Sequence, residues 1–321
     1  MSDRRVRAAR IGILVAAFAV LPVLATSPYR LRVFTLMVGF ALFAMALNVV
    51  FGHTDQLFLV VGGLAGVGGY GTVYTAIQLG VTPWLTLPVG VLIAGALGAI
   101  VSYIAAKRQF TVILIAIFTL ALQLALSQFF NGARAITGAT DGLVVPALLI
   151  EGRLAFYYVF VVVLLVFVLG YDRLVHSRYG LAFEAIREDE LSAASSGIDV
   201  VRYKTFAGLL AAMMIGLVGA LYGFSEGRLF PAIYAFSAID VLVLIMLTIG
   251  GMRTMYGPVV GAAFIYTINE FLANYGGWRT FVFGVLLIVL FLYFREGIVP
   301  KANGFLKGRG VDWAELLGGE S

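Results

Sequence analysis

Ten stretches of this chain are too apolar and too poor in charge to lie against water. They fall at about 11–27, 33–51, 57–79, 84–106, 110–130, 154–171, 205–224, 234–251, 258–275 and 278–294. Roughly 20 apolar residues span ~30 Å of hydrocarbon, and most of the runs approach that length. Composition leaves no soluble alternative: 61% of the 321 residues are hydrophobic and 12% charged, where an ordinary soluble domain carries about a quarter charged. The expected fold is therefore all-α, a polytopic bundle of transmembrane helices with about ten spans and eight at the fewest. The range reflects the last three runs, which are short, and the third, which contains Gly62, Gly63, Gly66, Gly68, Gly69 and Gly71.

Basic residues concentrate on the cytoplasmic side of membrane proteins. With ten spans and the N-terminus inside, the inner segments hold sixteen of the 22 Lys and Arg residues and the outer segments six. That asymmetry places both termini in the cytoplasm. The expected domains are a cytoplasmic N-terminal segment at 1–10, a transmembrane domain at 11–294 with a large inner loop at 172–204, and a cytoplasmic tail at 295–321. The first run follows MSDRRVRAAR and resembles a signal peptide, with Val23-Leu24-Ala25 as a cleavage-like site. We read it as an uncleaved first helix.

Several classes of function are excluded early. The sequence has no cysteine and only two histidines, His53 and His176, so thiol chemistry and a Cys- or His-built metal site have no residues to work with. No G-x-x-x-x-G-K-[ST] phosphate loop occurs, and no paired constellation of catalytic groups marks a membrane enzyme. No cofactor and no nucleic-acid partner is expected; the lipid bilayer is the medium, and the excess positive charge is an orientation signal.

Small residues recur at helix-packing spacing. Gly208, Ala212, Gly216 and Ala220 form one row on the seventh span, Gly219 and Gly223 an offset pair, and Gly257 and Gly261 open the ninth. In lipid, association is driven by packing, and small-xxx-small rows let backbones approach closely. These rows predict a compact bundle.

The loop at 172–204 is the most informative segment. Asp189 is placed to cap a short helix through Glu190 to Ser196, Gly197 to close it in a left-handed conformation, and Asp199 to cap the seventh span from Val200. Ile186, Leu191, Ala193 and Ala194 give that helix a small apolar face, which suits a groove on a soluble partner, a solvated loop, or the headgroup region. The acidic run Glu188-Asp189-Glu190 argues against anionic lipid.

This loop carries a resemblance. Ser177, Gly180, Ala185-Ile186-Arg187-Glu188-Asp189-Glu190, Gly197, Ile198, Val200, Tyr203 and Lys204 fit the pattern S-x-x-G-x-x-x-x-A-I-R-E-D-E-x-A-A-x-x-x-G-I-x-V-x-x-Y-K. The chain thus resembles branched-chain amino acid ABC transporter permeases of the LivM type. TGATDGL at 137–143, GGMRTMYGPVVGA at 250–262, REGIVP near Arg295, and FGHTDQL and GVGGY around Gly52 and Gly66 are similar to further family elements in the same order. The likeness covers roughly 33–300. It implies an importer of branched-chain amino acids or a related small polar solute, assembled from two homologous permease subunits, cytoplasmic ABC ATPase subunits and an external solute-binding protein. It further implies that Glu184, Ile186, Arg187, Glu188, Asp189, Glu190, Leu191, Ala193, Ala194 and Gly197 form the contact that couples the permease to the ATPase. The sequence departs from the family at Asp55 and Arg253, where glycine is usual, and at Phe58-Leu59-Val60-Val61, where Ser-Leu-Gly-His is usual.

Ionisable groups inside spans are functional candidates by default. Glu270 suits an interhelical bond or a place on the solute path, and Asp240 opens the eighth span. Either serves the second reading, a stand-alone secondary transporter or channel with one of them as coupling carboxylate. The glycines of the third span permit either a broken, solute-binding helix or tight crossing. Asp55, Gln56, Gly66, Gly68 and Glu270 are accordingly the candidates for lining the path. Asn48, Gln123 and Asn269 suit helix-to-helix bonds.

Overall fold

Helices dominate the computed structural model, which describes residues 18, 20–24, 27–148, 150, 152–272, 281–282, 284–285, 288 and 297–301. The expected N-terminal segment, more than half of the first and tenth spans, and most of the C-terminal tail lie outside the described residues. The helices are α1 (Pro28–Leu47, running into a π turn at Asn48–Gly52), α2 (Val61–Leu79), α3 (Pro83–Lys107), α4 (Val112–Gly132) and the single turn α5 (Arg134–Thr137). There follow α6 (Arg153–Val175), α7 (Arg178–Glu188), α8 (Glu190–Ser195), α9 (Val200–Glu226), α10 (Asp240–Gly250) and α11 (Gly257–Leu272). Two short strands, β1 (Leu143–Val144) and β2 (Arg228–Leu229), pair antiparallel.

Among the described residues, α1 with its π turn, α3, α4, α6 and α9 are long and apolar enough to cross a membrane. The expected third, eighth and ninth spans appear as the shorter or less apolar α2, α10 and α11. Lipid-facing character shows in what these helices expose. Leu85 of α3, Ile113 of α4 and Val162 of α6 are 69%, 72% and 59% exposed, positions that water would require to be polar. The chain is a helical integral membrane protein.

It divides into two compact units, residues 1–45, 153–172 and 243–321 in one and 46–152 and 173–242 in the other. In the first, the Phe160 ring fills the space beside Gly39. Phe40 meets Tyr266 at 5.8 Å between ring centroids. Gly261 lies directly on the Met246 carbonyl, so α10 and α11 cross backbone to backbone.

The second unit is built on α2, α3 and α9, which pack together along their lengths. The expected small-residue row is the seam. A Cβ on Gly208 would overlap Ser102 of α3, one on Gly219 would overlap the Ala65 backbone of α2, and one on Gly68 would overlap the backbone of Gly216. Three helices therefore touch with no side chain between them, which is how glycine converts close approach into dispersion contact without a hydrophobic driving force. Helix ends are set locally. Thr82 and Thr111 cap α3 and α4 through side-chain oxygens, Pro83 opens α3, and Gly80 and Gly227 close α2 and α9 at φ of 64° and 71°.

Candidate functional site

Two places in the second unit depart from regular helix packing: the loop carrying α7 and α8, and the backbone between α1 and α2.

In the loop, Ser177 caps α7 by accepting from the Tyr179 N–H at 3.1 Å, and Gly180 lies against the Val175 carbonyl with no room for a Cβ. Those two residues start α7 directly against the last residue of α6. Its ring Tyr179 stacks on Phe206 of α9 at 4.6 Å and meets Tyr203 edge-on at 5.7 Å. Phe183 lies edge-on to Tyr203 as well, at 6.3 Å. Asp189 then stands extended between α7 and α8, and its carboxylate accepts from the Leu191 N–H at 2.9 Å and the Ser192 hydroxyl at 2.6 Å. The Ser192 hydroxyl first and the Leu191 amide second hold this carboxyl below the usual range. Gly197, at φ 86°, closes α8 with paired bonds, its own N–H to Ala194 O at 3.0 Å and the Ile198 N–H to Ala193 O at 3.1 Å. Asp199 caps α9 at 3.1 Å from the Arg202 N–H.

The capping roles expected of Asp189, Gly197 and Asp199 are thus present. The single helix expected between the spans is two, because Ser177 starts a helix that the sequence reading passed over. The expected apolar face is split. Ile186 and Ala193 point inward, 1% and 3% exposed, whereas Leu191 is 76% exposed. Glu184, Glu188, Ala194 and Gly197 are also exposed and Arg187 is half-buried. Glu190 turns back to form an ion pair with Lys204 of α9, whose side chain is 4% exposed.

The second place begins where α1 loosens into the π turn at Asn48–Gly52. Asp55 takes a left-handed φ of 52°, and the backbone runs without regular structure until α2 starts at Val61. Such a stretch must find hydrogen-bond partners elsewhere. Thr119 of α4 accepts from the Leu59 N–H at 2.9 Å and donates to Leu57 O at 3.2 Å. One turn along the same helix, Gln123 accepts from the Gly63 N–H and donates to the Tyr234 carbonyl at 3.1 Å. Asp240, 1% exposed, accepts from the Val61 N–H at 2.6 Å and the Gly62 N–H at 3.1 Å. The first three N–H groups of α2 are thereby capped by side chains from distant parts of the chain, with a carboxylate at the positive end of the helix.

The path candidates fall around this stretch unevenly. Asp55 is half-buried in the irregular segment, and Gln56 is fully buried, its amide donating to Thr54 Oγ1 at 2.9 Å and to the Lys204 carbonyl at 3.1 Å. Gly66 and Gly68 sit inside the bundle against Phe130 and Gly216. Phe58, Val60 and Val61 are wholly buried. Glu270 belongs to the other unit, half-buried on α11, and accepts from the Tyr29 hydroxyl of α1.

A model of the family described as branched-chain amino acid transport system / permease component matches residues 29–293. The chain belongs to that family. Among its relatives is the "High-affinity branched-chain amino acid transport system permease protein LivM" of Escherichia coli (strain K12), 25% identical, with 85% of this chain and 70% of that protein covered. The LivM protein of Salmonella typhimurium is 24% identical at the same coverage. A Methanocaldococcus jannaschii protein, "Probable branched-chain amino acid transport permease protein LivH", is 28% identical, with 86% of this chain and 90% of that protein covered. No solved structure matches the chain.

Two of the three departures noted in the sequence, Asp55 and Arg253, have a physical reading in the backbone. Arg253 has φ 67° and Asp55 φ 52°, and the left-handed region favours glycine. Each departure therefore puts a side chain where the backbone of this permease asks for none. Sequence reasoning missed the roles of Thr119, Lys204 and Tyr234. For Thr119 a signal existed: with Gln123 it forms a polar i, i+4 pair within 112–126, a run that is otherwise apolar.

Proposed function

We propose that this chain is the permease subunit of an ATP-driven importer that carries branched-chain amino acids, or a related small polar solute, across the cytoplasmic membrane. It crosses about ten times with both termini inside. It works with a second homologous permease subunit, cytoplasmic ABC ATPase subunits and an external solute-binding protein. Family membership supplies the transport class. The observation that carries the rest is the α7–α8 loop: two capped helices, keyed to α9 by Tyr179 and Phe183 with Ile186 buried, that leave Leu191, Glu188 and Ala194 facing outward. A rigid, outward-facing knob suits a partner that delivers work by contact. The chain itself carries no P-loop sequence.

Uptake of labelled leucine into liposomes holding the assembled complex tests the reading. It should require ATP, the ATPase subunits and the binding protein together. Leucine accumulation by this chain alone, driven by an ion gradient without ATP, would overturn it in favour of a secondary transporter.

A further inference from the structure

The two irregular places described above are joined through one residue. Lys204 lies in the first turns of α9, and its side chain is 4% exposed. Its ammonium pairs with the Glu190 carboxylate of α8. Its backbone carbonyl accepts a second bond from the Gln56 amide at 3.1 Å. That amide also donates to Thr54 Oγ1 at 2.9 Å, and the Thr54 hydroxyl donates to Val50 O at 2.6 Å, inside the π turn. The Gln56 N–H bonds the same Val50 carbonyl at 3.3 Å. A continuous run of polar contacts therefore leads from α8 to the backbone that separates α1 from α2.

We infer that Lys204 is the positioning residue through which displacement of α8 reaches the segment 48–60. The inference rests on the proposed contact between the α7–α8 loop and an ATPase subunit.

Three physical points support it. First, α8 moves as a body, because Asp189 closes one end and the Gly197 turn closes the other. Second, a buried ammonium left without its carboxylate is costly, so Glu190 cannot shift without drawing Lys204 with it or admitting water. Third, the receiving segment is the compliant part of the unit. It holds a π turn and a left-handed Asp55, and π turns and such backbone cluster at switching sites. Within it the Gln56 Oε1 atom, buried in a residue with no exposure, accepts no hydrogen bond among the described residues. That leaves an acceptor unused in this arrangement and available to another.

Two measurements decide the matter. In the complete complex, Lys204→Met should lower uptake per ATP hydrolysed at least tenfold while hydrolysis persists, and Lys204→Arg, which keeps the pair, should come within threefold of wild type. In the isolated permease chain, deuterium exchange at residues 53–60 should rise at least fivefold in Lys204→Met, with α3 and α4 unchanged, and stay near wild type in Lys204→Arg. Unchanged exchange at 53–60, a uniform rise across the bundle, or an unchanged uptake-to-hydrolysis ratio would overturn the inference. Should Lys204→Met fail to fold, Gln56→Leu interrupts the same route beyond the ion pair, and a ratio within twofold of wild type in that variant overturns it equally. If the wild-type complex shows no ATP-dependent uptake, the proposed function fails, and exchange in the isolated chain still decides the role of Lys204.

Discussion

Asp240 is the cap whose removal tests most directly how the interrupted segment is held. Its carboxylate receives the Val61 N–H at 2.6 Å and the Gly62 N–H at 3.1 Å. Asp240→Ala leaves both groups buried and unpaired, at about 1–3 kcal/mol each. The variant also removes a desolvated carboxylate, which returns part of that cost, so a net loss of about 2–4 kcal/mol is expected for the start of α2. Water has little access: a Cβ on Gly62 would already meet Tyr234 O, Asp240 Oδ2 and Gln123 Nε2. Asp240→Asn keeps one acceptor for Val61 but turns an amide donor toward Gly62, and should cost about half as much. With tenfold per ~1.4 kcal/mol, deuterium exchange of the Val61–Gly63 amides should quicken roughly 30- to 1,000-fold in the alanine variant. Exchange within threefold of wild type in a folded Asp240→Ala protein would refute the reasoning. The α2 N-terminus would then be held by the helix seam alone.

Gly68→Ala puts a methyl into the Gly216 backbone and should cost about 1–3 kcal/mol; Gly170→Ala meets nothing within 4 Å and should be neutral or stabilising, both read by thermal unfolding in detergent. Arg253→Gly should stabilise the chain by up to about 1 kcal/mol, since the left-handed conformation costs a non-glycine residue ~1–2 kcal/mol and glycine gives back ~0.4–1 through its freer unfolded state. Asp55→Gly should gain less, because aspartate visits this region more readily; an equal or larger gain at Asp55 would contradict the strain argument. The depressed Asp189 carboxyl makes the α8 cap pH-dependent. Its stabilisation is fully present above the unfolded value of about 4 and is lost as pH falls through the lower folded value. A spin label at Leu191→Cys, in a chain with no cysteine of its own, should gain mobility only in acid, and Asp189→Asn should flatten that response.

Local chemistry made much of the fold legible. The run 84–106 is the helix Pro83–Lys107, and Asp189, Gly197 and Asp199 announced their caps because capping depends on residues two or three positions away. The glycine rows foretold a close seam but not which helices it joins, since that choice is made by surfaces far apart in sequence. Asp240 lies 179 positions from the amide it caps, so no window of sequence connects them. Lys204 was misleading for a different reason. It marked the polar end of a loop; α9 begins at Val200 as expected, and within it Lys204 turns inward to Glu190. A charge near a span boundary can point either way, and only its partner's position decides.

The seam and the interruption belong to one design. α2 meets α3 and α9 through Gly68, Gly90, Gly216 and Gly219, positions where even a Cβ would collide with backbone or side chain. Contacts of that kind tolerate little sliding, because a packed interface is bistable rather than continuously deformable. The three helices then hold together as one body. The backbone that leads into α2 is held differently: Thr119 bonds Leu57 and Leu59 within the segment 48–60, and Asp240 caps Val61 and Gly62 just after it, side-chain bonds that can be exchanged one at a time. In the inference drawn above, the displacement delivered through Lys204 is taken up in this segment and not in the seam. Shortening that segment should therefore abolish transport while leaving the seam folded.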